Sequence, residues 1–130
     1  MTPIGWTKTA VATANTNRDG SGAVVLVWTA DEEQQYVDSV RCYPLGTNVT
    51  TEAVLIGSNG SGVAVAHNNF LLGNKQLAAS TLGTAVDTDV VEFPIGVWFP
   101  KGFEIYALVH ATQAAGRQFV AFSDPSYQQY

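Results

Sequence analysis

The sequence predicts an all-β fold, an antiparallel β-sandwich of jelly-roll type with about eight strands. Three observations carry that reading. Polar and apolar residues alternate with a period of two in segment after segment, as strands with two different faces require. The segments recur at roughly the 8–12-residue spacing of sandwiches and rolls, parted by clusters of Gly, Pro, Asn and Asp. No stretch of useful length shows the period of an amphipathic helix. Connections this short cannot carry parallel crossovers, so the pairing is antiparallel. Eight strands in two facing sheets is the jelly-roll count. An immunoglobulin-type sandwich would want a Cys…Trp…Cys spacing, and Cys42 is the only cysteine.

Each element follows from its residues. Residues 1–6 show no strand pattern, whereas residues 7–13 alternate Thr, Lys, Thr, Ala, Val, Ala, Thr and suit a strand with one exposed face. Residues 15–22, rich in Asn, Asp and Gly, form a turn. Residues 23–30 are a continuous apolar run ending near Trp28 and read as a strand buried on both faces; Asp31, Glu32 and Glu33 break it. Residues 36–43 alternate again, and Pro44, Gly46 and Asn48 turn the chain. Residues 51–58 form the next strand, closed by Asn59-Gly60-Ser61-Gly62, with a short strand expected over 63–66. Residues 70–79 are a further segment that Gly73-Asn74 splits and that allows a helical turn at 77–79. Strands over 89–95, 103–112 and 117–123 complete the series, with a Pro/Gly corner at 96–102 that carries Trp98 and Phe99. In the 103–112 strand Phe103, Ile105, Ala107 and Val109 share one face, and Glu104, Tyr106, Leu108 and His110 the other. Residues 1–22 are read as an N-terminal arm and first edge strand, 23–123 as the sandwich and 124–130 as a C-terminal tail, all one domain.

Composition narrows the function. A chain of 130 residues is one domain's worth and needs no staples. Charged residues make up 13% of it, against about 25% in a typical soluble domain. So weakly charged a surface predicts that part of it is covered by a partner or by further copies. The net charge is −5, and Lys8, Arg18, Arg41, Lys75, Lys101 and Arg117 are scattered. No basic stripe exists to neutralise phosphates, which argues against nucleic acid. No apolar run reaches membrane-spanning length, and the first residues lack the basic start and apolar core of a signal peptide. Synthesis in the cytoplasm without a cleaved export signal is expected. Cys42 is read as a small hydrophobe in a strand, and the sequons at Asn48 and Asn59 as chance in a Thr/Ser-rich chain.

No arrangement of residues in the sequence points to a catalytic or metal site. His67 and His110 have no metal-ligand spacing. Gly57-Ser58-Asn59-Gly60 and Gly60-Ser61-Gly62 resemble a nucleophile elbow in composition alone, and turns explain both. Asp87, Asp89, Glu92 and Glu104 would be the acids of a glycosidase or a calcium site, and are read instead as solvated. The chain is expected to be no enzyme and to hold no cofactor or metal. Trp28 is assigned to the core, Trp98 to an exposed contact with a glycan or another subunit.

The stretch Phe99-Pro100-Lys101-Gly102-Phe103-Glu104-Ile105-Tyr106 resembles a signature of small capsid-associated proteins of tailed bacteriophages. Ala114-Ala115-Gly116-Arg117 and the aliphatic strand Gln118-Phe119-Val120-Ala121-Phe122 follow it in the same order, and residues 24–28 and 68–72 precede it. The resemblance spans residues 23–122. It departs in the bulk of Trp98 and Phe99 and in the acidic Asp31-Glu32-Glu33 loop. It implies a capsid decoration (cement) protein: a jelly-roll homo-oligomer, a trimer by expectation, that binds the major capsid protein on the outer surface of the virion. The interface candidates are Trp6, Trp98, Phe99, Tyr127 and Tyr130, the aromatics outside the expected strand cores. The alternative is a carbohydrate- or receptor-binding module of a phage fibre or spike.

Overall fold

The computed structural model describes residues 1–81 and 90–124. Their strands are β1 (Thr2–Trp6), β2 (Val25–Thr29), β3 (Gln34–Pro44), β4 (Thr51–Ser58), β5 (Asn69–Leu77), β6 (Val91–Pro100), β7 (Glu104–Val109) and β8 (Arg117–Ser123). One sheet has the order β1-β8-β3-β6 and the other β2-β7-β4-β5, all neighbours antiparallel. The chain is thus folded at its middle into four nested couples, 1 with 8, 2 with 7, 3 with 6 and 4 with 5. Alternate couples go to alternate sheets, which is the jelly roll.

The inward rows supply the core. Val37, Val40, Phe93 and Phe119 of the first sheet and Leu55, Ile105, Ala107 and Val109 of the second lose essentially all solvent contact. Trp28 meets Phe99 edge-on, with ring centroids 5.5 Å apart and planes at 80°. Each such large side chain stabilises the fold by roughly 1.5–3 kcal/mol on burial. The polar ends close with equal economy. Asn48 donates from Nδ2 to the Gly116 carbonyl at 2.9 Å and accepts the Gly116 amide on Oδ1 at 2.8 Å. Arg117, also buried, donates to Gln113 and to the Val49 and Ala78 carbonyls.

Several boundaries differ from the sequence reading. The first strand is Thr2–Trp6; within 7–13 only Thr7 and Val11 are buried, so the alternation there has no row to pack. Gly5 explains the choice, since a Cβ there would lie 2.8 Å from Trp28 Cβ and from the Val27 carbonyl oxygen. The expected corner at 96–102 is instead the second half of β6, and the turn falls at Lys101-Gly102. Gly96, at φ 62°, absorbs a register shift opposite Asp38, and Pro94 is tolerated because β6 is an edge strand. Residues 63–66 make a turn into a 3-10 helix, Ala66–Asn68, rather than a strand. β5 is unbroken across Gly73-Asn74, with its irregularity at Leu72. β2 is buried on one side only, with Leu26 exposed.

Candidate functional site

The two sheets treat their outer faces differently. On the second sheet Val54, Ile56 and Leu108 point away from the sandwich core, yet they are buried. The segment between β1 and β2 covers them. Ala14 bridges to Val109, Asn15 holds the loop through the Ser21 and Ala23 carbonyls, and Asn69 donates to the Asp19 carbonyl. Arg18 pins this strap to Glu52 at 2.6 Å. Glu52 also accepts from Asn74 and lies 3.3 Å from His110 Nδ1. The Asn74 hydrogen bond first, then Arg18, holds the Glu52 carboxyl below its ordinary range. At the same face burial, reinforced by the hydrogen bond to Glu104, pushes the Tyr106 phenol up to about 12.

Nothing among the described residues covers the outer face of the first sheet. The register places its side chains in rows. Trp6 lies opposite Val120, which lies opposite Arg41, which lies opposite Glu92. Pro3, Phe122, Ser39 and Pro94 form the next row, and Tyr36 and Trp98 the last. Arg41 stacks on the Phe122 ring at 4.8 Å and pairs with Glu92 at 3.1 Å. Tyr36 and Trp98 pack with centroids 5.2 Å apart. At the far edge the Lys8 ammonium sits 3.8 Å from the centroid of Trp6.

The face is aromatic and nearly uncharged. In the four strands Arg117 turns inward, and the remaining charged residues are Asp38, Arg41 and Glu92. With Lys8 beside them the two signs balance, so the chain's −5 resides in its loops and in the other sheet. No cluster of metal-ligating side chains occurs among the described residues.

The expected interface residues separate on this geometry. Trp6, 43% exposed, and Trp98, 37% exposed, come from opposite edges onto the same face. Phe99 is corrected: at 1% exposure it lies in the core against Trp28, because neighbours along a strand point to opposite sides. Tyr127 and Tyr130 lie outside the described residues, as do Asp87 and Asp89. Glu92 and Glu104 serve Arg41 and Tyr106. Sequence reasoning missed Phe122, Tyr36 and Arg41 as surface residues. Their signal was present in the alternation of β3 and β8, but alternation does not say which row faces inward. It also missed the Glu52 cluster, whose members come from four separate segments. Comparison with family models, curated proteins and solved structures returns no match.

Proposed function

We propose that the chain is a structural virion protein, a capsid decoration protein that lies with the outer face of its first sheet on the major capsid shell. The observation that carries this reading is the contrast between the two outer faces. One is covered by the chain's own strap over Val54, Ile56 and Leu108; the other presents Trp6, Trp98, Phe122 and Tyr36 with balanced charge. Buried aromatic anchors are what protein interfaces concentrate at their centres. A four-stranded sheet has a plan area on the order of 400 Å², short of the roughly 800 Å² per partner of a standard interface. One copy therefore grips weakly, and several linked copies gain by avidity. Virion proteins on a repeating shell are well placed to use that gain.

The exposed Trp98 favours a second reading, a carbohydrate- or receptor-binding module. Against it, the Tyr36 ring is inclined at 57° to Trp98, so the two make no single flat platform for a sugar. Co-sedimentation with shells assembled from a tailed-phage major capsid protein tests the proposal. Wild type binds and saturates, and Trp6→Ala with Trp98→Ala weakens binding by about 1,000-fold, on the scale of two anchors of about 2 kcal/mol each. Absent shell binding together with a positive glycan screen would replace this reading with the second.

A further inference from the structure

We propose that Asn59 is a site of self-modification: the Gly60 main-chain nitrogen attacks its side-chain carbon, ammonia leaves, and water opens the resulting imide. The proposal does not depend on shell binding. Asn59-Gly60 is the chain's only Asn-Gly pair. Asn15, Asn17, Asn48, Asn68, Asn69 and Asn74 each precede a residue whose side chain crowds the nitrogen that would attack, and glycine has none. The turn after β4 arranges the reacting groups. Asn59 is exposed, so water reaches it. Its Oδ1 accepts the Ser61 amide at 2.9 Å, which folds the side chain back over the Gly60 peptide. The same amide faces the oxygen on which negative charge gathers as the nitrogen adds to Cγ, the role of an oxyanion-hole donor. The Gly60 amide donates to Ser58 Oγ at 3.4 Å. As the bond from the Gly60 nitrogen to Cγ forms and the bond from Cγ to Nδ2 breaks, the Gly60 proton completes the departing ammonia. Water then cleaves one of two bonds of the imide. Cleavage at Cγ gives aspartate; cleavage at the main-chain carbonyl carbon gives isoaspartate, with a methylene inserted into the main chain. Either product makes the net charge of −5 one unit more negative.

The fold holds the reactive glycine in place. Gly60 has a φ of 86°, and a Cβ there would lie 2.3 Å from the Gly102 carbonyl oxygen. Packing against the β6–β7 turn therefore retains the one pair that reacts. A second loop supplies a matched control. Asp19-Gly20-Ser21-Gly22 repeats the turn of Asn59-Gly60-Ser61-Gly62: Asp19 Oδ1 accepts the Ser21 amide at 3.0 Å, and Gly20 has a φ of 92°. Asn69 ties the two loops together by donating to the Asp19 and Val63 carbonyls. The Ser21 hydroxyl first, and then its amide, hold the Asp19 carboxyl below its ordinary range. At neutral pH it is a carboxylate, which repels a nucleophile and has no leaving group to match ammonia. The two turns share their geometry and differ in the group that leaves.

Peptide mapping by mass spectrometry, with ammonia measured in parallel, reads the reaction. The native chain kept at mildly alkaline pH is expected to convert Asn59 to a mixture of aspartate and isoaspartate and to release ammonia in step. The other asparagines and Asp19 stay intact over the same period. Asn59→Gln, whose side chain would have to close a larger ring, releases none. Asp19→Asn converts at position 19 as well, at a rate within about 10-fold of that at position 59, a barrier difference of about 1.4 kcal/mol or less. Thermal melts check that both variants keep the fold. An Asn59 that survives in the native chain while it converts in urea overturns the proposal. Equal conversion at another asparagine, or an inert position 19 in the folded Asp19→Asn chain, does so too.

Discussion

Trp98 and Phe99 are adjacent in β6 and have opposite fates, one on the open face and one in the core. Replacing Phe99 by Ala empties the site against Trp28 and is expected to cost about 3–5 kcal/mol in urea unfolding. Trp98→Ala, which removes a surface ring, is expected to cost about 1 kcal/mol or less while abolishing most shell binding. If the two costs are equal, the assignment of faces in β6 is wrong. Cys42 gives a second check. Burial pushes its thiol up to about 12 despite the neighbouring Arg117, so the reactive thiolate is absent at neutral pH. A thiol reagent at pH 8 is expected to leave the native chain unmodified and to label it fully in denaturant. Rapid native labelling would show that the core opens at β3. The burial of Asn48 likewise removes that sequon from any modifying enzyme, since its side chain is spent on Gly46, Ser80 and Gly116.

At the scale of elements the strap is the part most open to test. Glu52 titrates below its ordinary value in the folded chain, so its contribution to stability is complete above about pH 4.3 and is lost as pH falls through the lowered value. Between about pH 5 and pH 3 the wild type is therefore expected to lose stability more steeply than Glu52→Gln. Asp19, whose carboxyl is lowered chiefly by its hydrogen bond from the Ser21 side chain, affects both proteins alike. Parallel pH profiles would remove Glu52 from the account. Arg18→Ala is expected to speed amide hydrogen exchange at Val54, Ile56 and Leu108 while that of Val37 and Val40 stays slow. The elements also show how far the sequence could be read. β8 was legible because its alternation coincides with a buried row, and the segments 51–58 and 117–123 match β4 and β8 residue for residue. β1 was not, because Pro3, Ile4 and Gly5 show no period and the strand is fixed by the close approach of Gly5 to Trp28. The continuity of β6 was hidden by Pro94 and Gly96, residues that read as a corner but here tolerate an edge and a register shift. The strap was invisible as such, since a turn-rich loop does not announce the face it will cover.

Among the described residues the sandwich has one outer face partly covered by its own chain and the other left open. Balanced charge on the open face lets an acidic protein meet a partner or another copy without repulsion. Trp6 and Trp98 were legible as surface aromatics, but their convergence on one face required the strand order β1-β8-β3-β6, which local pattern does not encode. This face is proposed to lie on the shell, and hydroxyl-radical footprinting of the shell-bound chain reads its burial directly. Oxidation of Trp6, Trp98 and Phe122 is expected to fall on binding, while Phe70 and Leu71, exposed on β5 of the other sheet, remain as reactive as in the free chain. Protection of Phe70 and Leu71 with Trp6 and Trp98 unchanged would contradict it.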